Sequence, residues 1–214
     1  MSHRWPVELS GVVESVTTTL GPNDRWNVAA LGLQASPSFE ANRMDHDTDR
    51  SPTDVDPERP VTATTYGNTR TRGNFGREGC AVVQFVTDPR DFVDAALTIR
   101  EEDDPVLDSA AAWVRVETER LSTGQTGETQ TETWGLEPTA STVREQRVPT
   151  IDRGFAAVVD ATVAASRLDV DAYDTAALLD RLDYFASVVD SCGGPRTREA
   201  FARVDEYTSW RERS

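Results

Sequence analysis

Lysine is absent from this chain, and all 22 of its cationic side chains are arginine. Histidine occurs only as His3 and His46, and cysteine only as Cys80 and Cys192. No zinc site and no Cys–His or Ser–His nucleophile set can be assembled from so few residues at such spacing. The two isolated cysteines are expected to be small buried or half-buried thiols in a reducing compartment. No apolar run approaches the ~20 residues of a membrane-spanning helix. The first residues, Met1–Glu8, lack the apolar core of a secretory leader, so a cytoplasmic protein without membrane contact is expected.

Cations are also outnumbered, with 37 Asp and Glu giving a net charge of −15 over 214 residues. A field of that sign forfeits the counterion release that drives binding to duplex nucleic acid, so nucleic acid is not an expected partner. Self-repulsion of this size destabilises a compact chain at low salt. At molar salt the Debye length falls to about 3 Å and the repulsion is screened. Acidity combined with the missing lysine therefore reads as halophilic. The length suits one domain, or one main domain with an appendage.

Leu9–Leu20 is rich in Val and Thr with partial alternation, and Trp26–Leu33 resumes the pattern after the turn residues Gly21-Pro22-Asn23-Asp24. Together they predict a β-hairpin. Residues 34–60 are acidic and rich in Ser, Thr and Pro, and are expected to form a solvated loop insertion. Val61–Tyr66 and Cys80–Thr87 read as strands, with a glycine- and arginine-rich segment, Gly67–Gly79, between them. Asp88-Pro89 opens a short helix through Ile99. Ala111–Leu121 and Trp134–Val148 read as strands around a turn region, Ser122–Thr133. Past Pro149 the character changes: Asp152–Leu168, Tyr173–Ser191 and Arg196–Arg213 read as helices, the second with a core stripe at Leu178, Leu182, Phe185 and Val189. Strands first and helices last predict an α+β chain, with a mainly β domain over residues 1–150 and a helical subdomain over 151–214.

Tyr66–Arg77 holds Arg70, Arg72 and Arg77 and no acid, in a chain that is otherwise strongly negative. Guanidinium, Thr hydroxyl, Asn amide and glycine-exposed N–H groups together suit a phosphate. Two other readings stay open. The three arginines pair with carboxylates on a neighbouring strand or subunit, or the cluster docks an acidic or single-stranded RNA partner with Tyr66 and Phe75 as stacking platforms.

Five short motifs stand in order: Glu14–Thr18, Asn27–Gly32, Thr71–Asn74, Gln84–Pro89 and Asp152-Arg153-Gly154. In that order the chain resembles the FMN-binding split barrels of the flavin-reductase type, and more closely an archaeal set among them, the domain-of-unknown-function 447 family. It departs from that pattern in having Ala30 for a proline, Gln84 for an asparagine, and the acidic 34–60 insertion.

The resemblance implies a split β-barrel with a C-terminal helical appendage, a homodimer, and FMN near the subunit interface. Carried over, Arg72 takes the phosphate charge, Thr71 and Asn74 hydrogen-bond beside it, and Thr69 and Arg70 support them. Thr17, Thr18 and Thr19 line the isoalloxazine, Asn27, Ala29 and Gly32 lie along the ribityl chain or ring, and Gln84 adds a polar contact. Two flavin functions remain open, a flavin-dependent oxidoreductase drawing on NADH or NADPH and a non-catalytic flavin carrier or sensor. A phosphate- or RNA-docking module built on Arg70–Arg77 is the alternative without flavin.

Overall fold

The computed structural model describes residues 4–35, 61–148 and 150–213. Most of the predicted acidic loop, and both histidines, lie outside the described residues. In chain order the elements are β1 (Val12–Leu20), β2 (Trp26–Gln34), β3 (Val61–Tyr66), α1 (Arg70–Glu78), β4 (Cys80–Val86), α2 (Pro89–Leu97), β5 (Arg100–Glu102), β6 (Ala110–Thr126), β7 (Thr129–Val143), α3 (Arg153–Ala165), α4 (Thr175–Cys192) and α5 (Pro195–Thr208). Trp210–Arg213 adds a 3₁₀ turn.

Six strands pair in the order β1-β4-β6-β7-β3-β2, and β2 pairs back onto β1, which closes a barrel. β1 pairs antiparallel with β2 and β4, β3 with β2 and β7, and β6 with β7, while β5 adds to the edge of β2. Side chains alternate across each strand, so residues directly opposite each other share a face. Leu33 lies opposite Ala63, Ala63 opposite Trp134, and Thr17 opposite Val83. These positions mark the inner face. Leu31, Leu33, Val83, Val116, Trp134 and Leu136 are all buried in one cluster there. The barrel is therefore of the split type that the resemblance implied.

Two segments differ from expectation. The Gly67–Gly79 segment contains a nine-residue helix, α1. Gly73 and Gly76 lower its intrinsic helicity by roughly 1 kcal/mol each. Packing compensates: Phe75 is 1% exposed and meets the Trp134 ring edge-on at 5.3 Å. Thr69 caps the first turn, its Oγ1 accepting from Arg72 N, and Gly79 ends the helix at φ 63°, the left-handed conformation that suits glycine. The expected turn over Ser122–Thr133 is mostly strand. β6 runs to Thr126, and the reversal is confined to Gly127-Glu128, with Gly127 at φ 59°. Its β-branched threonines favour the extended ladder, and its exposed polar faces erase the alternation that would have revealed it.

Residues 86–100 and 147–214 form a second compact unit. Its buried cluster joins Val93 of α2 to Ala157, Ala161, Leu182, Ala200 and Phe201 of the C-terminal helices. Leu178, Leu182 and Val189 are buried as their spacing predicts, whereas Phe185 is only partly buried. Cys80 is half-buried, but Cys192, at the last turn of α4, is exposed. The Asp152-Arg153-Gly154 motif has a structural origin. Asp152 caps α3 through Phe155 N, and Gly154 lets α3 pass close to Gly193. A Cβ at 154 would stand 2.9 Å from Gly193 Cα and 3.1 Å from Thr197 Cγ2. Gly154→Ala is therefore expected to cost about 1–3 kcal/mol of stability, as overpacking does. Denaturant unfolding at fixed molar salt measures it, and an unchanged midpoint would contradict this account.

Candidate functional site

One end of the barrel turns from apolar to charged. Along β6 the inward series runs Val114, Val116, Thr118, Arg120, and along β7 it runs Leu136, Trp134, Glu132. Helix α1 lies against this end. The hydroxyl of Thr118 is 3.5 Å from the Phe75 carbonyl, and Arg72 Nη2 donates to Glu132 Oε1 at 2.8 Å. Arg120 Nη1 approaches the same oxygen at 3.4 Å. Arg72 Nη1 also donates to the Gly67 carbonyl at 3.3 Å, and Gly67 N donates to the Gln130 carbonyl. The Glu132 side chain is 6% exposed, and the Arg72 guanidinium beside it holds its carboxyl below the usual glutamate range despite the opposing effect of burial.

The first turn of α1 has an unusual charge pattern. Helix N-termini carry partial positive charge and favour acids. Here the first turn has no acid and carries arginine at its first and third positions, Arg70 and Arg72. Arg70 Nη1 reaches Glu101 at 2.6 Å, with its side chain 52% exposed. Arg77 pairs with the adjacent Glu78 and donates to the Leu20 carbonyl. All three arginines of the cationic segment thus have a carboxylate partner within the chain. For Arg70 and Arg72 this is the pairing with strand carboxylates that one reading of the segment anticipated, while Arg77 pairs within its own helix, and together these pairs make the surface far less cationic than the segment's composition. Phe75 lies in the core, so it offers no stacking face, whereas Tyr66 is exposed.

The remaining candidate residues fall into two groups. Thr19, Asn27, Thr71 and Asn74 meet between α1 and the β1–β2 hairpin. Asn74 Nδ2 donates to Thr19 Oγ1 at 2.9 Å, and Asn27 Nδ2 to Thr71 Oγ1 at 3.4 Å, with all four buried. Thr17 shares that inner face, and its buried Oγ1 has no partner among the described residues. Thr18 and Gln84 lie on the outer face. Thr18 Oγ1 donates to the Pro105 carbonyl at 2.6 Å, and Gln84 Nε2 to the same carbonyl at 2.9 Å. Gln84 Oε1 accepts from Leu107 N at 2.7 Å. The three consecutive threonines therefore do not form one wall. Ala29 and Gly32 are half-buried on β2, on opposite faces, and Thr69 is exposed at the helix cap.

Glu132 and Arg120 were not singled out from the sequence. Both belong to the β6–β7 hairpin, whose register places them beside Arg72. Among the described residues no cluster of metal-ligating side chains occurs, and no helix is long and apolar enough to cross a membrane.

The DUF447 N-terminal domain matches residues 13–145, and the DUF447 C-terminal part, described as a protein of unknown function, matches residues 152–206. The chain belongs to the DUF447 family. An FMN-bound DUF447 protein from Methanosarcina mazei superposes with a TM-score of 0.71 at 21% identity, over 94% of this chain and 96% of that one. The styrene monooxygenase flavin reductase from Pseudomonas putida S12 aligns at TM-score 0.35 and 16% identity, covering 62% and 79% of the two chains. An FMN-binding protein from Thermus thermophilus with bound p-hydroxybenzaldehyde aligns at 0.37 and 13%, covering 69% and 82%. No curated protein matches the chain. What the DUF447 resemblance implied for family and fold thus holds.

Proposed function

We propose that this DUF447 chain is an FMN-binding flavoprotein whose phosphate site is the first turn of α1. The observation that carries this is the pair of arginines at the positive end of a helix, with a threonine cap and no acid in that turn. A phosphomonoester would meet the Thr69 hydroxyl, the backbone N–H groups at the helix start and the Arg72 guanidinium, with the exposed Arg70 exchanging its half-buried partner Glu101 for the ligand. Exposed ion pairs contribute only about 0–1 kcal/mol, so that exchange is inexpensive. The FMN bound by the Methanosarcina relative supports the same reading.

The donor set fits the cofactor. Thr71 and Asn74 fix α1 on the hairpin and so aim its N-terminus. Thr17, Thr19 and Asn27 build the inner wall beside them, while Thr18 and Gln84 hold residues 105–107 against the outer face. Ala29 is the small inner-face position of β2 along which a ring or ribityl chain would run, whereas Gly32 lies on the opposite face. FMN supplies hydride and electron chemistry when bound. A flavin-dependent oxidoreductase working with NADH or NADPH needs neither lysine nor histidine for the hydride step, which agrees with this composition. In this reading the protein is a cytoplasmic homodimer suited to molar salt.

The test is direct. Protein purified at molar salt is expected to be yellow, to release FMN on heating as identified by mass spectrometry, and to rebind it after stripping. Colourless protein that takes up no FMN would refute the reading. Anaerobic bleaching by NADH or NADPH separates the oxidoreductase from a flavin carrier.

A further inference from the structure

Two guanidinium groups converge on a single oxygen of Glu132, from Arg72 at 2.8 Å and from Arg120 at 3.4 Å. One carboxylate cannot neutralise both, so the cluster retains a net positive charge in a chain of net charge −15. The Glu132 side chain is almost wholly enclosed, whereas that of Arg120 is 57% exposed. Arg120 arrives here for a structural reason: it continues the inward series of β6, and the ladder register shifts immediately beyond it, between Arg120 and Ser122. Such irregularities end a regular series and aim a side chain.

We propose that Arg120 is a second arginine of the phosphate cradle, and that Arg72 and Arg120, held apart by Glu132, form a two-guanidinium fork for a phosphomonoester dianion. The proposal rests on the FMN reading above and adds to it a residue distant in sequence from α1. Glu132 acts as the positioning residue. It spaces the two cations, limits their mutual repulsion and leaves them together one charge short of balance. A phosphomonoester brings negative charge to this net-positive pair, whereas an uncharged riboflavin does not. The fork thus selects for the phosphorylated flavin.

The experiment titrates FMN and riboflavin separately into the full-length, flavin-stripped protein and its Arg120→Ala and Arg120→Lys variants, at one fixed molar salt concentration. Loss of one charge-assisted contact predicts an FMN Kd about tenfold higher in Arg120→Ala. Riboflavin affinity should be unchanged, and Arg120→Lys should fall between wild type and alanine. Thermal midpoints of the variants check that the fold is retained. An unchanged FMN Kd, or equal losses for FMN and riboflavin, overturns the role of Arg120 while leaving the FMN site standing, because wild-type binding is measured alongside. A wild type that binds neither flavin sinks both.

Discussion

Arg72→Ala is expected to weaken FMN binding by roughly a hundredfold, the size expected when one or two charge-assisted hydrogen bonds of ~1.5–3 kcal/mol each are lost. The side chain does two things at once. It presents positive charge at the third position of α1, and through Glu132 and the Gly67 carbonyl it ties that helix start to β7 and to the turn after β3. Removing it deletes a cation from the cradle and loosens the seat of the helix. Riboflavin should lose much less, because only the second effect reaches it. Calorimetric or fluorescence titration of both flavins reads the two effects separately. Equal affinities of wild type and variant for FMN would refute the assignment.

Phe75→Ala is expected to have the largest effect on stability, about 3–5 kcal/mol, as for other buried aromatic truncations. Phe75 is the one large apolar side chain of α1, and it is buried edge-on to Trp134. Without it α1 keeps two glycines and a short polar contact face of Thr71 and Asn74, too little to hold a helix of low propensity. FMN affinity should fall with stability, because the phosphate-binding turn is the start of that helix. Chemical denaturation and FMN titration of the same preparation measure both. A variant that unfolds at the wild-type denaturant concentration would show that the helix is held by something else.

The strands that frame the barrel were legible because their chemistry is local. The runs Val12–Leu20, Trp26–Gln34, Val61–Tyr66 and Cys80–Val86 are β-branched or apolar and bounded by turn residues. Helix α1 was hidden because Gly73 and Gly76 sit where a helix would normally place alanine or leucine. Only the barrel end against which Phe75 packs supplies the missing stability. The partners of the arginines were hidden for another reason. Which acid faces Arg72 depends on the register of β7 against β6 and β3, a long-range property with no local signature. The anomaly of positive charge was visible, but that Glu101 and Glu132 are the strand carboxylates facing Arg70 and Arg72 was not. Glu132 lay in a stretch of Thr, Gly and Gln that reads as a turn until the ladder is seen.

The helical unit is assembled from two separated stretches of the chain, with β5, β6 and β7 synthesised between them. During synthesis α2 leaves the ribosome with Val93 and Leu97 ready for burial, long before α3 and α5 exist to pack against it. The barrel strands are complete once Val143 has emerged, so the nascent protein passes through a stage with a formed barrel and a helix whose apolar stripe is bare. A nascent chain that has emerged only as far as residue 152 should therefore present that stripe to chaperones, and the released full-length chain should not.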